Sequence, residues 1–95
     1  MAVVMDRPRR LKDGRLAAHL LSDRPNRAGG VELVGVAVAI GCHPAAAQNV
    51  DTYKEHFDLV GERRVKAALA HPGVAQVTWR DLAGILRAKR NGEVR

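Results

Sequence analysis

The chain has 95 residues, of which 46% are hydrophobic, with a single Phe, a single Tyr, a single Trp and a formal net charge of +6. This length suits one domain over residues 1–95 with a small aliphatic core, and excludes separate catalytic and regulatory domains. The single Cys42 excludes an internal disulfide and a zinc site built from thiolates, and it favours a reducing, cytoplasmic location. No apolar run approaches the roughly 18 residues of a membrane span, so we expect no membrane partner.

The first half of the chain predicts one strand and leaves two segments undecided. Residues 2–6 form a short apolar run that ends at Asp6, and Pro8 then removes a backbone donor, which predicts a strand followed by a turn. Residues 16–21 are apolar except for His19 and are too few to assign. Residues 31–40 are rich in β-branched side chains, which favours a strand, although their apolar positions also fit one helical stripe.

The second half is more regular. Residues 53–59 suit a short strand in which His56 and Asp58 share a face. Residues 62–70 have helical spacing and are followed by a His-Pro-Gly stop, and residues 74–77 suit a strand. Thr78 and Asp81 then have the spacing of a capping box, which predicts a helix over 79–90 with a buried stripe formed by Trp79, Leu82, Ile85 and Leu86.

Together these elements predict a small α/β domain with a short sheet covered by two or three helices. We expect the strands near 2–6 and 74–78 to pair, and the helices of 62–70 and 79–90 to cover one face of the sheet. A domain this small often buries more surface by self-association, so a homodimer is a further hypothesis.

The charge is segregated along the chain. Residues 1–30 carry seven basic and three acidic side chains, residues 31–62 carry one and five, and residues 63–95 carry eight and two. Basic ends around an acidic middle favour an anionic partner, either nucleic acid or an acidic protein, although solubility alone also explains such a surface. The side chains predicted to contact phosphate are Arg9, Arg10, Arg15, Arg80, Arg87 and Arg90.

A second set of side chains is acidic and imidazole-bearing: Asp6, His19, Asp23, His56 and Asp58. If these groups converge in one pocket, they can hold a divalent metal ion and activate water. Their spacing matches no known ligand signature, and a structural explanation stands beside the metal: Asp23 as a cap, Asp6 at a turn and each histidine as a hydrogen-bonded structural group. The metal is therefore a hypothesis, and no cofactor is required.

The order of short motifs along almost the whole chain resembles a known family. These motifs are Asp6-Arg7-Pro8, Gly14-Arg15, His19-Leu20 with Asp23, Glu32-Leu33, His56-Phe57-Asp58 and Val77-Thr78-Trp79-Arg80-Asp81-Leu82. They resemble the domain-of-unknown-function family numbered four thousand and thirty-one, found in high-GC Gram-positive bacteria and their phages. The family usually has Tyr at the position of Phe57 and His at that of Val34. Its segment around Glu32 is helical, which implies a helix over 31–40.

Three functions follow as expectations. The charge pattern favours a non-enzymatic accessory protein, bacterial or phage by resemblance, that binds an acidic partner, with nucleic acid first. The Asp and His set supports a metal-dependent phosphoester hydrolase as the alternative. An inhibitor of a host protein is a third alternative, which is compatible with the sequence but predicted by none of its residues.

Overall fold

A computed structural model describes residues 3–24 and 26–93 of the chain. The described residues form one mixed sheet of five strands with three α-helices, so the chain has the predicted α/β fold. In chain order the elements are β1 (Val3–Met5), β2 (Arg9–Arg10), β3 (Leu16–Ser22), α1 (Asn26–Ala39), β4 (Phe57–Val60), α2 (Glu62–Ala70), β5 (Val74–Gln76) and α3 (Trp79–Glu93). A short 3-10 helix, Pro44–Ala46, lies between α1 and β4.

The long strand β3 organises the sheet. It pairs antiparallel with β1 and β2 along one edge and with β4 along the other, so that Ala17 lies between Arg9 and Val60. On the far side of β1, β5 runs parallel, with Val3 opposite Val74. The predicted pairing of the strands near 2–6 and 74–78 is confirmed for its described part, and residue 2 lies outside the described residues.

The larger core lies on one face of the sheet. Met5 and Leu20 are opposite each other on β1 and β3, and Phe57 follows on β4. These side chains are fully buried against Leu33 of α1 and Val65 of α2. Successive residues of a strand point to opposite faces, so this face takes every second residue of each strand.

The helix α3 covers the other face of the sheet. Leu82 of α3 packs against Val4 and Leu21, which alternate with the residues of the larger core. The prediction that the helices of 62–70 and 79–90 cover one face was therefore wrong. β1 and β3 carry apolar side chains on both faces of the sheet, so each face needs its own helix layer.

The ambiguous segment 31–40 is helical up to Ala39, the last residue of α1. Leu33 and Ala37 are buried on one side of α1 and Ile40 is buried just after its end, while Val31 and Val38 are exposed. The family resemblance implied this helix, whereas composition alone favoured a strand. The β-branched residues raise strand propensity by a small amount, which tertiary packing overrides here. No helix within the described ranges is long and apolar enough to cross a membrane.

Candidate functional site: an Asp-His network beside an exposed tryptophan

The α3 face of the sheet is only partly covered, and its open part holds the candidate site. His19 of β3 lies two residues before Leu21, on the same face, and pairs with Asp58 of β4. The first residue of α3, Trp79, stands over this part of the sheet. The site is thus a cleft between the middle of the sheet and the beginning of α3.

A bulge after β1 places Asp6 beside His19. Met5 is opposite Leu20 and Arg9 is opposite Ala17, so three residues of the first segment face two residues of β3. At this irregular point the backbone N–H of His19 donates to Oδ1 of Asp6 over 2.7 Å. The other carboxylate oxygen, Oδ2, lies 2.7 Å from Nδ1 of the His19 ring. The side chain of Asp6 is fully buried and so holds the imidazole in one orientation.

Asp58 connects His19 to a second imidazole. Its Oδ1 lies 3.2 Å from Nε2 of His56 and 3.8 Å from Nε2 of His19. Its Oδ2 accepts a hydrogen bond of 2.6 Å from the amide of Gln48. The His56 ring is fixed at its other nitrogen, since Nδ1 lies 2.7 Å from the backbone oxygen of Lys54. The prediction that His56 and Asp58 share a face agrees with this contact.

A cavity of about 240 Å³ opens beside the two imidazoles. His19 and His56 line it together with Asn49 and Lys54, and its apolar wall includes Leu82 and Leu86 of α3. Trp79 closes one side, with its ring edge-on to His19 at 6.1 Å between centroids. The indole is 57% exposed, so its predicted place in the buried stripe of the last helix was wrong. At the first turn of α3 the indole lines the cleft rather than the smaller core that Leu82 enters.

A basic groove continues from this cavity along α3. A second cavity of about 290 Å³ is lined by Tyr53, Lys54, Leu86, Arg87 and Arg90, and it shares Lys54 and Leu86 with the first. The ammonium of Lys54 lies 5.6 Å from the centre of the Tyr53 ring. Three cations therefore stand along the rim that leads into the imidazole and indole cleft.

The structure separates the six predicted phosphate-binding arginines into two groups. In the first group, Arg10 forms an ion pair with Glu62 at 3.2 Å, and Arg15 forms one with Asp13 at 2.7 Å. Arg9 lies 4.0 Å from Oδ2 of Asp6. These carboxylates partly neutralise their partners, which leaves this end of the sheet less cationic than the sequence suggests.

The bonded carboxylates respond to these arginines. The backbone N–H and the guanidinium of Arg15 lower the pKa of Asp13, and a hydrogen bond from Arg10, followed by one from Lys66, lowers the pKa of Glu62. Both carboxylates therefore stay ionised down to lower pH than isolated side chains.

The second group, on α3, consists of Arg80, Arg87 and Arg90. All three are exposed, and among the described residues none of them forms an ion pair. Arg80 and Arg87 are seven residues apart and so share one stripe of the helix. Of the six predicted arginines, these three therefore have a positive charge that no described carboxylate neutralises, and that charge is available to an anionic partner.

Four members of the predicted Asp and His set meet in the network, and one does not. Asp23 follows the last residue of β3, about 13 Å along an extended chain from His19. Among the side chains of the described ranges, no group of three His, Cys, Asp or Glu residues is placed to hold a metal ion. Asp6 in particular faces Nδ1 of His19, on the side of the ring away from Nε2. The divalent metal remains a hypothesis from the sequence.

Three contributors to the site were missed by sequence reasoning: Gln48, Lys54 and the exposed face of Trp79. Gln48 reaches Asp58 because its segment forms an isolated antiparallel bridge to His56. Lys54 precedes His56 by two residues and is the only basic side chain of the acidic middle segment. That isolated positive charge was the available signal.

Comparison with known proteins identifies one relationship. The profile of a family described as "Protein of unknown function (DUF4031)" matches residues 3–89, which includes every residue of the network and the groove except Arg90. No curated protein matches the chain. No solved structure matches it.

Proposed function

We propose that this chain, a member of the DUF4031 family of proteins of unknown function, binds single-stranded nucleic acid along α3. One base of the strand lies beside Trp79. The observation that carries the proposal is the continuity of the Trp79 cleft with the rim of Lys54, Arg87 and Arg90. Proteins that bind single strands combine a cationic groove, which follows the phosphates, with aromatic faces on which bases stack.

The electrostatics favour this surface over the other basic segments. Arg87 and Arg90 have no carboxylate partner in the described part of the chain, so their charge is available to phosphate. Arg10 and Arg15 are already paired with carboxylates. Phosphate contacts made by unpaired cations release counterions and provide most of the affinity for a strand.

The cleft favours an unpaired base over a duplex. Its walls are largely apolar, and Trp79 offers an exposed aromatic surface at the opening. The polar side chains of the lining are His19, Asn49, Lys54 and His56. Stacking of one base on an aromatic side chain contributes about 1–3 kcal/mol and requires that the base leave its own stack. A single aromatic residue suits one ordered base rather than a row of them.

The test is fluorescence anisotropy of a labelled single strand of about ten nucleotides across a salt series. Replacing Arg87 and Arg90 together by Ala should lower the slope of log affinity against log salt by about 1.4, since each contact with a single strand contributes about 0.7. The matched control is the pair Arg63→Ala and Arg64→Ala, which removes the same charge from exposed positions of α2 across the sheet. Equal effects of the two double variants would contradict the proposal.

Trp79→Ala tests the base contact separately from charge. The loss of stacking should weaken binding by roughly 5- to 150-fold, which corresponds to about 1–3 kcal/mol, without changing the salt slope. Trp79→Phe retains an aromatic face and should restore most of the affinity. Preference for a duplex of the same length over the single strand would argue against a base in the cleft.

A further inference from the structure

The two imidazoles of the cleft, those of His56 and His19, differ in how close their Nε2 atoms lie to a carboxylate. In His56, Nδ1 faces the backbone oxygen of Lys54 at 2.7 Å, and a carbonyl oxygen only accepts. Its Nε2 faces Oδ1 of Asp58 at 3.2 Å, and an ionised carboxylate also only accepts. Nδ1 of His56 is therefore fixed as a donor, and Nε2 lies within ion-pair distance of a carboxylate, which suits a ring that supplies a proton from Nε2.

His19 has the complementary arrangement. Its Nδ1 donates to the buried carboxylate of Asp6 over 2.7 Å. Its Nε2 lies 3.8 Å from Oδ1 of Asp58, which is beyond hydrogen-bond distance. In its neutral form, a ring held this way by a carboxylate at Nδ1 has its lone pair on Nε2, the nitrogen that can accept a proton. The ring centroids of His19 and His56 are 5.7 Å apart, and both rings line the cleft.

We propose that the bound strand is RNA and that His19 and His56 cleave it by general base and general acid catalysis. This inference rests on the proposed binding of single strands along α3. Nε2 of His19 removes the proton of a ribose 2′-hydroxyl, and the freed oxygen forms a bond to the adjacent phosphorus. The bond from phosphorus to the 5′-oxygen of the next nucleotide breaks, and that oxygen takes the proton from Nε2 of His56.

This step balances without a further reactant. One P–O bond forms and one breaks, one proton moves to His19 and one leaves His56, and the products end in a 2′,3′-cyclic phosphate and a 5′-hydroxyl. The nucleophile belongs to the RNA itself, so the cleft needs neither a serine nor a cysteine. DNA lacks the 2′-hydroxyl and is bound but not cleaved.

Neighbouring groups have defined places in this reaction. Lys54 lies on the rim shared by the cleft and the basic groove, where its ammonium can pair with the phosphate. Asp58 is a positioning residue, because its carboxylate lies 3.2 Å from Nε2 of His56, at the place that a leaving oxygen would take. The Asp58 side chain is 42% exposed, so it has room to move away. Asp6 is a positioning residue for His19.

The experiment follows a labelled single-stranded RNA with EDTA present, and measures binding with a strand in which every 2′-hydroxyl is methylated. Wild-type protein should cleave the RNA and leave cyclic phosphate ends, which mass spectrometry identifies. His19→Ala and His56→Ala should each slow cleavage by about a hundred- to ten-thousand-fold, a far larger effect than either has on binding of the methylated strand. His43→Ala, which alters an exposed histidine that caps the 3-10 helix, is the matched control and should cleave normally.

A single 2′-deoxy nucleotide at the cleaved position tests the chemistry without altering the protein. It should abolish cleavage at that position only. Normal binding without cleavage would overturn this inference and leave the proposed function standing, whereas the absence of binding would overturn both. Cleavage that stops with EDTA, or that persists in both His19→Ala and His56→Ala, would also overturn it.

Discussion

Asp6 and His19 are joined twice, because one carboxylate accepts both the backbone N–H and the ring Nδ1–H of the same histidine, each over 2.7 Å. The contact replaces a regular backbone hydrogen bond at the bulge between β1 and β2. It therefore belongs both to the sheet and to the candidate site. Any change at Asp6 should affect stability and function together, in proportions that depend on the replacement.

Asp6→Ala should lower the free energy of unfolding by about 2–4 kcal/mol. The variant leaves two donors of His19 without an acceptor at the buried position of Asp6. Each such donor costs about 1–3 kcal/mol, and the ring donor lies at the lower end of that range because the His19 side chain is partly exposed. Asp6→Asn keeps an oxygen for the backbone N–H and should cost less. Urea denaturation of both variants measures the difference, and equal losses would contradict the role of the backbone contact.

Asp6→Asn also separates folding from chemistry. The Asn amide presents an N–H to Nδ1 of His19, so the ring has to accept there and carry its proton on Nε2 instead. We expect a folded protein that binds the methylated RNA strand but has lost most of its cleavage. Wild-type cleavage by this variant would show that the tautomer of His19 is irrelevant, which contradicts the role of His19 as the general base.

Local patterns predicted much of the fold, and long-range register was the part they could not supply. The helix α2, the strand β5 and the capping box of α3 follow from nearby residues, as does the shared face of His56 and Asp58. The approach of Asp6 to His19 depends on a one-residue bulge at Arg7 and Pro8, which no periodicity reveals. The exposure of Trp79 depends on which part of the sheet α3 covers, since helical spacing alone places the indole with Leu82.

Lys89 should be the most sensitive lysine of α3 and α2 to replacement. It is only 4% exposed, and its Nζ donates to the backbone oxygen of Ser22 over 2.8 Å at the end of β3. Lys89→Met should lower the free energy of unfolding by about 1.5–3 kcal/mol, the range for a hydrogen bond from a charged group. Lys66→Met is the control, because Lys66 forms an exposed pair with Glu62, and ion pairs on the surface contribute little to stability. Comparable losses of unfolding free energy in Lys89→Met and Lys66→Met would contradict this prediction.

Cys42 should react slowly with maleimide in the folded protein. It is 8% exposed in the larger core, and burial raises the pKa of its thiol above the ordinary value of 9.0. At pH 8 the native thiol is protonated, and labelling should become fast only in urea. Native labelling as fast as that of the unfolded chain would contradict this burial.

The same pKa shift predicts an alkaline loss of stability. Above pH 9 the unfolded chain releases the Cys42 proton while the folded chain retains it, so unfolding becomes easier as pH rises. The loss is at most about 1.4 kcal/mol for each pH unit between the two pKa values. Urea denaturation at pH 8 and pH 10 should show a smaller alkaline loss for Cys42→Ala than for the wild type. Equal losses would assign the effect to other groups.

The capping box of α3 should control the cleft through Trp79. Thr78 accepts from the Asp81 backbone N–H over 3.1 Å, and Asp81 accepts from the Thr78 backbone N–H over 3.2 Å. Thr78→Ala removes one of these bonds and should destabilise the first turn by about 1 kcal/mol. Trp79 is the first residue of that turn, so binding of a single strand should weaken as well.

Thr78→Ser keeps the hydroxyl and should behave like the wild type. The fluorescence of the chain's single Trp reports the change directly, and unaltered emission and affinity in Thr78→Ala would show that the cleft does not depend on this cap.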